Sequence, residues 1–442
     1  MSEAAASFTK TAALVDERGA VALVIANTIG TGVFTTSGFA LGDLGAPGLV
    51  MLAWAAGGLY ALCGVAVYAD LATKIPVSGG EYAFLRETLH PGLGVVAGWI
   101  SLVAGFTAPI AAAALGAQLY LAKAGGPAWS APVVASAIVV ALALLHALAP
   151  KQGVAFQNIA VLVKILAIGV FIGFGAPHAA ETIARGAAGG EAPFSTLAFF
   201  GALVWISYAY SGWNAAVYVT GEVAGGGGAV RRALYLGTLL VIALYLGVSA
   251  VILYGAPARE LTGVAESGAV AARAFGGTLA EQGLSALIAL ALVTSASSMI
   301  VSGPRVYARM AQDGALPAIL GRLHGERPRI AVLTQGVLAL VVVWSASLRE
   351  ILEFVGVTLS LSASAVVLGW MRLELHATRR PRLLQSTAAL LFLSATTGVA
   401  VAAILMRPMS ALASAALIGA AGALYFAQAG SARRRERPCA GE

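Results

Sequence analysis

Twelve stretches of this 442-residue chain are long and apolar enough to cross roughly 30 Å of hydrocarbon. They lie near residues 19–41, 47–73, 92–121, 131–149, 153–176, 196–223, 232–255, 283–304, 330–346, 351–373, 386–406 and 409–428, the eighth continuing as an amphipathic extension through Asp313. With 59% hydrophobic residues, 11% charged residues and a mean hydropathy of +0.86, the chain lacks the charge a water-soluble globule of this size needs on its surface. Its solvent is therefore lipid, and the expected fold is an all-α integral membrane protein of about 12 helices.

The net charge of +7 is explained by topology rather than by nucleic-acid binding, because the basic residues sit in short segments between apolar runs. With the N-terminus inside, roughly twenty of them fall on the cytoplasmic side, among them Lys10, Arg18, Lys74, Lys151, Arg231, Arg232, Arg327, Arg329, Arg379, Arg380, Arg382 and the tail arginines. Roughly six, Lys123, Arg185, Arg259, Arg273, Arg349 and Arg407, fall on the other side. An even number of spans leaves both termini cytoplasmic, in the cell (inner) membrane. The first twenty residues lack the pattern of a cleaved signal peptide. Polar stretches at 176–195 and 255–283 read as extracellular loops containing short helices or turns, Gly225 to Gly228 as a flexible connector, and residues 1–430 as one transporter domain followed by a basic tail at 431–442. Two cysteines, Cys63 and Cys439, support neither a disulfide framework nor a thiolate metal site.

The first span reads Asn27-Thr28-Ile29-Gly30-Thr31-Gly32 at its centre, where lipid favours uniform apolarity. Glycine costs about 1 kcal/mol relative to alanine in a helix interior. The glycines either admit a neighbouring helix or mark an unwound segment whose backbone groups meet protein, water or solute. The sixth span repeats the device with Tyr208-Ala209-Tyr210-Ser211-Gly212-Trp213-Asn214. Spans one and six open two five-helix halves, about 18–176 and 196–373, which run in opposite directions because five is odd. Paired interruptions at corresponding positions of an inverted repeat point to a transporter site at mid-membrane. A half-helix starting near Gly32 offers free N–H groups and a positive dipole end to a carboxylate, and unwound carbonyls suit an ammonium, so a zwitterionic amino acid fits both.

Lys164 is the one basic residue near the middle of a span, and an insertion penalty of roughly 2.5–3.5 kcal/mol requires a partner for it. Its ammonium either sits against the unwound first helix, as a fixed or exchangeable cation, or serves a purely structural role. Glu222 either anchors a gate or meets Arg231 or Arg232 in a solvated pair. Asp70 and His146 read as interface residues rather than proton relays, and no acidic residue is expected at mid-depth near spans one, three or six. There is no metal-binding His-Glu-x-x-His, nucleophile elbow or phosphate loop, which argues against an enzyme, a metal or a cofactor. Gly92-Leu93-Gly94 approaches a dinucleotide fingerprint but opens a membrane helix, so helix packing accounts for it.

Three motifs resemble the amino acid, polyamine and organocation (APC) superfamily: Gly30-Thr31-Gly32-Val33-Phe34, Pro76-Val77-Ser78-Gly79-Gly80-Glu81-Tyr82, and Arg305-Val306-Tyr307-Ala308-Arg309 running on to Asp313-Gly314-Ala315-Leu316-Pro317. Tyr208 to Asn214 is most similar to the L-type amino acid transporter branch. The resemblance implies a leucine-transporter-like 5+5 inverted repeat with discontinuous helices 1 and 6, alternating access and, from Lys164, sodium independence. It further implies that Ile29, Gly30, Thr31 and Gly32 present amides to a substrate carboxylate, that Thr28, Tyr208 and Ser211 serve the amine, and that Tyr208 gates the site. Ala209, Gly212, Trp213 and Asn214 would complete the pocket. The chain has Tyr208 where that branch usually has phenylalanine and Ser211 where it usually has glycine.

The expected activity is sodium-independent transport of a small L-amino acid, a neutral one being favoured because no acidic residue is expected at mid-depth, through exchange or proton coupling and without an obligatory protein partner. A polyamine or cationic amino acid is the alternative cargo on the same fold. A membrane nutrient sensor or a channel is the alternative of another class.

Overall fold

The computed structural model describes residues 15–126, 129–148, 150–185, 192–322, 328–377 and 383–435. Lys10, Arg327, Arg379, Arg380, Arg382 and the tail beyond Arg435 lie outside them. In chain order the helices are α1 (Glu17–Thr28), α2 (Gly32–Leu44), α3 (Pro47–Lys74), α4 (Gly80–Thr88), α5 (Pro91–Ile100), α6 (Ala108–Lys123), α7 (Ala131–Leu148) and α8 (Pro150–Ala184). They continue as α9 (Thr196–Tyr210), α10 (Gly226–Gly255), α11 (Ala258–Leu261), α12 (Ser267–Gln312), α13 (Arg329–Ser345), α14 (Leu348–Leu375), α15 (Leu383–Met406) and α16 (Pro408–Arg435). Among the described residues there is no strand, only one isolated bridge between Val15 and Val223.

Among the described residues nine helical runs are long and apolar enough to cross a membrane, α5 and α6 counting as one run, and ten when α1 and α2, bent by 41° at their junction, are taken as one span. The count of twelve expected from the sequence thus stands at ten by length and apolarity. The sixth span is short because α9 stops at Tyr210 after 15 residues, and α13 reaches only 17. The lipid-facing surface is apolar, with residues such as Leu239, Val341 and Leu391 exposed, as a bilayer requires.

Local chemistry explains several boundaries. Pro47 and Pro91 open α3 and α5 at a position where a missing N–H costs nothing. Ser347 and Glu350 form a reciprocal capping box at the start of α14. The loop expected at 176–195 is half helix, since α8 runs on to Ala184, and the loop expected at 255–283 is largely taken up by α11 and by α12, which carries an irregularity at Gly277 (φ 66°). Gly225 to Gly228 is not a flexible connector. Gly225 caps α10 in the left-handed region and the other three glycines build its first turn, where Gly227 lies so close to α3 that a Cβ there would sit 2.2 Å from the Ala72 carbonyl oxygen.

Three layers of contact position the centre of the molecule. The half-helix α1 packs on α10, α2 packs on α9, and α6 and α8 pack on the long α12. Between α5 and α6, residues Ser101–Thr107 form a π-helical segment that the sequence pattern did not disclose. Such widened turns occur often at functional sites, because they turn extra backbone and side chains toward a cavity.

Candidate functional site at two broken helices

Both interruptions read from the sequence are present as broken backbone. After Thr28 the chain leaves helical geometry at Ile29 (ψ 102°) and resumes it at Gly32. After Tyr210 it turns through Ser211–Asn214 and continues as a 3-10 segment, Ala215–Glu222. The two breaks touch. A Cβ on Gly32 would fall 2.5 Å from the Ala209 Cα, and one on Gly212 would fall 2.5 Å from the Asn27 carbonyl oxygen. Gly212 also has φ 101°, so only glycine satisfies both its conformation and its space.

Unwinding frees carbonyls that would be costly if left alone in a dry interior. Four of them find a side chain from a neighbouring helix. Lys164 Nζ on α8 donates to the Ala26 oxygen at 2.6 Å. The Tyr245 hydroxyl on α10 lies 2.6 Å from the Thr28 oxygen and 3.0 Å from the Ala209 oxygen, joining the two breaks. Ser295 Oγ on α12 donates to the Ile29 oxygen at 2.9 Å. Lys164 is 1% exposed and faces protein, not lipid. The Thr28 hydroxyl is spent on the Val24 oxygen within its own helix (2.7 Å). The carbonyls of Thr28, Ile29 and Ala209 are therefore engaged by protein donors. The first amides of α2 have no intrahelical acceptor by construction. Nearby, the Thr31 hydroxyl is buried without a hydrogen-bond partner.

A cavity of about 60 Å³ lies beside the second break. Ser211, Gly212, Trp213 and Asn214 line it, together with Asn27 from the first helix. The remaining expected residues, Thr28, Ile29, Gly30, Thr31, Gly32, Tyr208 and Ala209, do not line it; of these, Thr28, Gly32 and Ala209 lie at the contact between the breaks. Tyr208, expected as a gate, is buried in α9 at 5% exposure. Arg232, one of the two partners expected for Glu222, binds Glu17 with both carboxylate oxygens (Nη2–Oε2 2.6 Å). The Glu222 backbone oxygen takes the Val15 amide.

Sequence reasoning missed the acid of the site. Glu81 is 2% exposed and lines the cavity, contrary to the expectation that no carboxylate reaches this depth near spans one and six. Its Oε1 accepts from the Tyr68 hydroxyl (3.0 Å) and Asn214 Nδ2 (2.9 Å), and its Oε2 from the Tyr218 hydroxyl (2.8 Å). Burial pushes its carboxyl above the usual range, while these donors pull it back. The local signal was the pair Gly79-Gly80, both at positive φ, which turns the chain back into the bundle; the Gly79 amide donates to the Tyr218 oxygen. Phe106, from the π-helical segment, was likewise unreadable as a cavity residue.

The other singled-out groups are structural. Asp70 accepts from Trp370 Nε1 (2.8 Å) and pairs with Lys74 (2.6 Å) at the end of α3. His146 is not an interface residue, being 4% exposed and 2.7 Å from Ser297 Oγ across the α7–α12 contact. Gly94 lies under α4, where a Cβ would fall 2.8 Å from the Tyr82 oxygen, so helix packing accounts for it. Among the described residues no group of three metal-ligating side chains exists.

Two broken helices that touch at mid-chain glycines, inside a bundle of membrane-crossing helices, define the architecture of a solute carrier. The amino acid permease family matches the chain over residues 17–431, and the chain belongs to that family, within the APC superfamily. It is a multi-pass membrane protein of a transporter family rather than an enzyme. The chain is 27% identical over 330 residues to the serine/threonine exchanger SteT of Bacillus subtilis, covering 73% of this chain and 74% of that one. It is 25% identical over 360 residues to the large neutral amino acids transporter small subunit 2 of Homo sapiens, covering 76% of this chain and 65% of that one. It is also 24% identical over 379 residues to the b(0,+)-type amino acid transporter 1 of Mus musculus (81% and 76%).

Proposed function

We propose that this permease carries small amino acids across the cell membrane, independently of sodium, by alternating access. The observation that carries the reading is the meeting of the two breaks beside a partly polar cavity. Its walls include the breaks' own residues, so a solute there would feel every change in how the half-helices sit. Sodium independence rests on Lys164, whose ammonium already occupies the Ala26 carbonyl, where a bound metal cation would otherwise find its oxygen. Both termini are placed in the cytoplasm by the distribution of basic residues. The five-helix halves at 18–176 and 196–373 are proposed as the inverted repeat, with 386–428 as additional helices. Glu81 favours a second reading, in which the cargo is a cationic amino acid or a polyamine, because the cavity holds a carboxylate.

Reconstituted vesicles loaded with unlabelled amino acid decide the matter. A carrier gives saturable counterflow of labelled amino acid, unchanged when potassium replaces sodium. A sensor gives no counterflow, a channel gives flux that does not saturate, and steep sodium dependence would sink the role given to Lys164.

A further inference from the structure

The second half of broken span six, Ala215–Glu222, is held along two edges. On one it joins the start of the described chain: the Val15 amide donates to the Glu222 oxygen (3.2 Å) and the Ala224 amide to the Val15 oxygen (2.8 Å). On the other it meets residues 78–81, within the Pro76–Tyr82 motif. The Gly79 amide donates to the Tyr218 oxygen (3.2 Å) and the Gly221 amide to Ser78 Oγ (3.0 Å), while Asn214 Nδ2 and the Tyr218 hydroxyl donate to Glu81. Gly80 permits this approach, because a Cβ there would fall 2.3 Å from the Tyr218 ring. The helix that follows, α4, is anchored elsewhere. It packs on α5 and α14, and its Arg86 and Tyr82 both bind Asp313 at the end of α12 (2.7 and 2.9 Å). Residues 78–81 thus bridge α4 and its supports to a segment that runs on toward α10.

This seam has the chemistry of a contact that parts and re-forms. Its bonds are polar, and water can replace each partner with a hydrogen bond of its own. Where the breaks touch at Gly32 and Gly212, backbone abuts backbone instead. The segment is 3-10 rather than α, with a kink at Val219 (φ −121°), and it follows the turn at Ser211–Asn214, so it can swing without breaking an α-helical bond. Glu81, Asn214, Ala215 and Tyr218 also line the cavity, so separating them opens its wall.

We propose that residues 78–81 are a clasp on the second half of span six, which releases whenever the cavity opens on the side of Val15. The inference rests on the transport reading and adds the contact that must break for solute to pass on that side. Ser78 and Glu81 are positioning residues, acting on the solute through the segment they hold. On release the Glu81 carboxylate exchanges Asn214 and Tyr218 for water, and on closure it recovers them.

The test is a reversible lock. A Cβ on Gly221 would lie 3.9 Å from the Ser78 Cβ, within the separation of about 3.5–4.5 Å that a disulfide spans, and Gly221 is not among the glycines at positive φ. Ser78→Cys and Gly221→Cys are combined in a full-length chain whose Cys63 and Cys439 are replaced by serine, and the protein is reconstituted for counterflow of labelled serine, leucine or lysine. Oxidation should abolish counterflow and dithiothreitol should restore it, with neither reagent affecting the single variants. Recovery on reduction separates a locked clasp from a damaged fold. Parent-level counterflow in the oxidised, cross-linked pair overturns the proposal, and so does failure of the two cysteines to cross-link. Tyr218→Phe supplies a second readout, because it removes one bond to Glu81 and keeps the ring. A membrane-impermeant maleimide should label Ser211→Cys in that background about ten-fold faster from the Val15 side alone, the effect of losing a hydrogen bond to a charged group. Equal acceleration from both sides, or none, also overturns the proposal. Absence of counterflow in the parent for all three amino acids would defeat the transport reading, and the labelling would still decide the clasp.

Discussion

Gly212 shows how one residue can be required twice, by its backbone and by its neighbour. At φ 101°, with the Asn27 carbonyl where a side chain would begin, Gly212→Ala combines left-handed strain of about 1–2 kcal/mol with a backbone clash. We expect the variant to reach the membrane and to lose counterflow, measured in vesicles against protein content. Normal flux would mean that the two breaks need not touch. Glu81 makes a prediction in pH. Its carboxyl is raised by burial above the ordinary value of 4.5, so the folded protein holds this proton more tightly than the unfolded chain does. Stability from this group is therefore full below 4.5 and is lost as pH rises through the folded-state value. Thermal melts from pH 4.5 upward should fall more steeply for the parent than for Glu81→Gln, and parallel curves would refute the assignment. At this scale the sequence exposed the glycines, because Gly30, Gly32 and Gly212 are anomalous within apolar runs wherever they fold. It hid Glu81, because a carboxylate between two spans reads as solvated until the turn at Gly79-Gly80 carries it inward.

Helical elements were legible where apolarity is sustained, as in α3, α10 and α14, and poorly legible where tertiary contacts set the outcome. The first turn of α10 illustrates the second case. Four consecutive glycines carry no helical signal, yet Gly226–Gly228 are helical because the turn nestles against α3 at Ala72, an approach no larger residue permits at Gly227. The neighbouring Gly228 has nothing within 4 Å of its Cβ position. The two positions should therefore respond in opposite directions. Gly228→Ala should raise the melting temperature, stabilising the helix by about 0.5–1 kcal/mol. Gly227→Val should lower it, because backbone rather than a mobile side chain occupies the space. A thermal melt of both variants in one detergent suffices, and a shared sign would remove the packing argument. The π-helical segment at Ser101–Thr107 was hidden for a related reason: its composition is that of an ordinary apolar helix, and only its neighbours reveal the extra residue per turn.

On the scale of the whole molecule, polar clusters tie the helices together at two separate places. In one, Arg407, at the junction of α15 and α16, binds Asp43 of α2 (2.5 Å) and Glu353 of α14 (3.2 Å). Its guanidinium lies 4.6 Å from the Trp205 ring centroid of α9, and Trp205 Nε1 donates to the same Asp43. In the other, Lys74 of α3 binds Asp70 and Glu374 of α14, while Arg86 of α4 binds Asp313 at the end of α12 (2.7 Å). The first cluster joins the second half of broken span one to the first half of broken span six, so under the alternating access proposed above it would act as a lock on that side. Removing Arg407 leaves the largely buried Asp43 without its cation, a loss of about 3–5 kcal/mol for the locked state, while Glu353 keeps Arg349 (3.4 Å). That penalty falls only on states in which α2, α9 and α14 are held together, so the unlocked state gains population. We therefore expect Arg407→Met to open the cavity toward this cluster. The measurement is the rate at which a membrane-impermeant maleimide labels a cysteine placed at Ser211, in a chain whose Cys63 and Cys439 are replaced by serine. Labelling from the Arg407 side should accelerate about ten-fold or more, since even 1.4 kcal/mol of population shift gives that factor. Unchanged labelling, with the variant folded, would show that the cluster fastens helices which do not separate during transport.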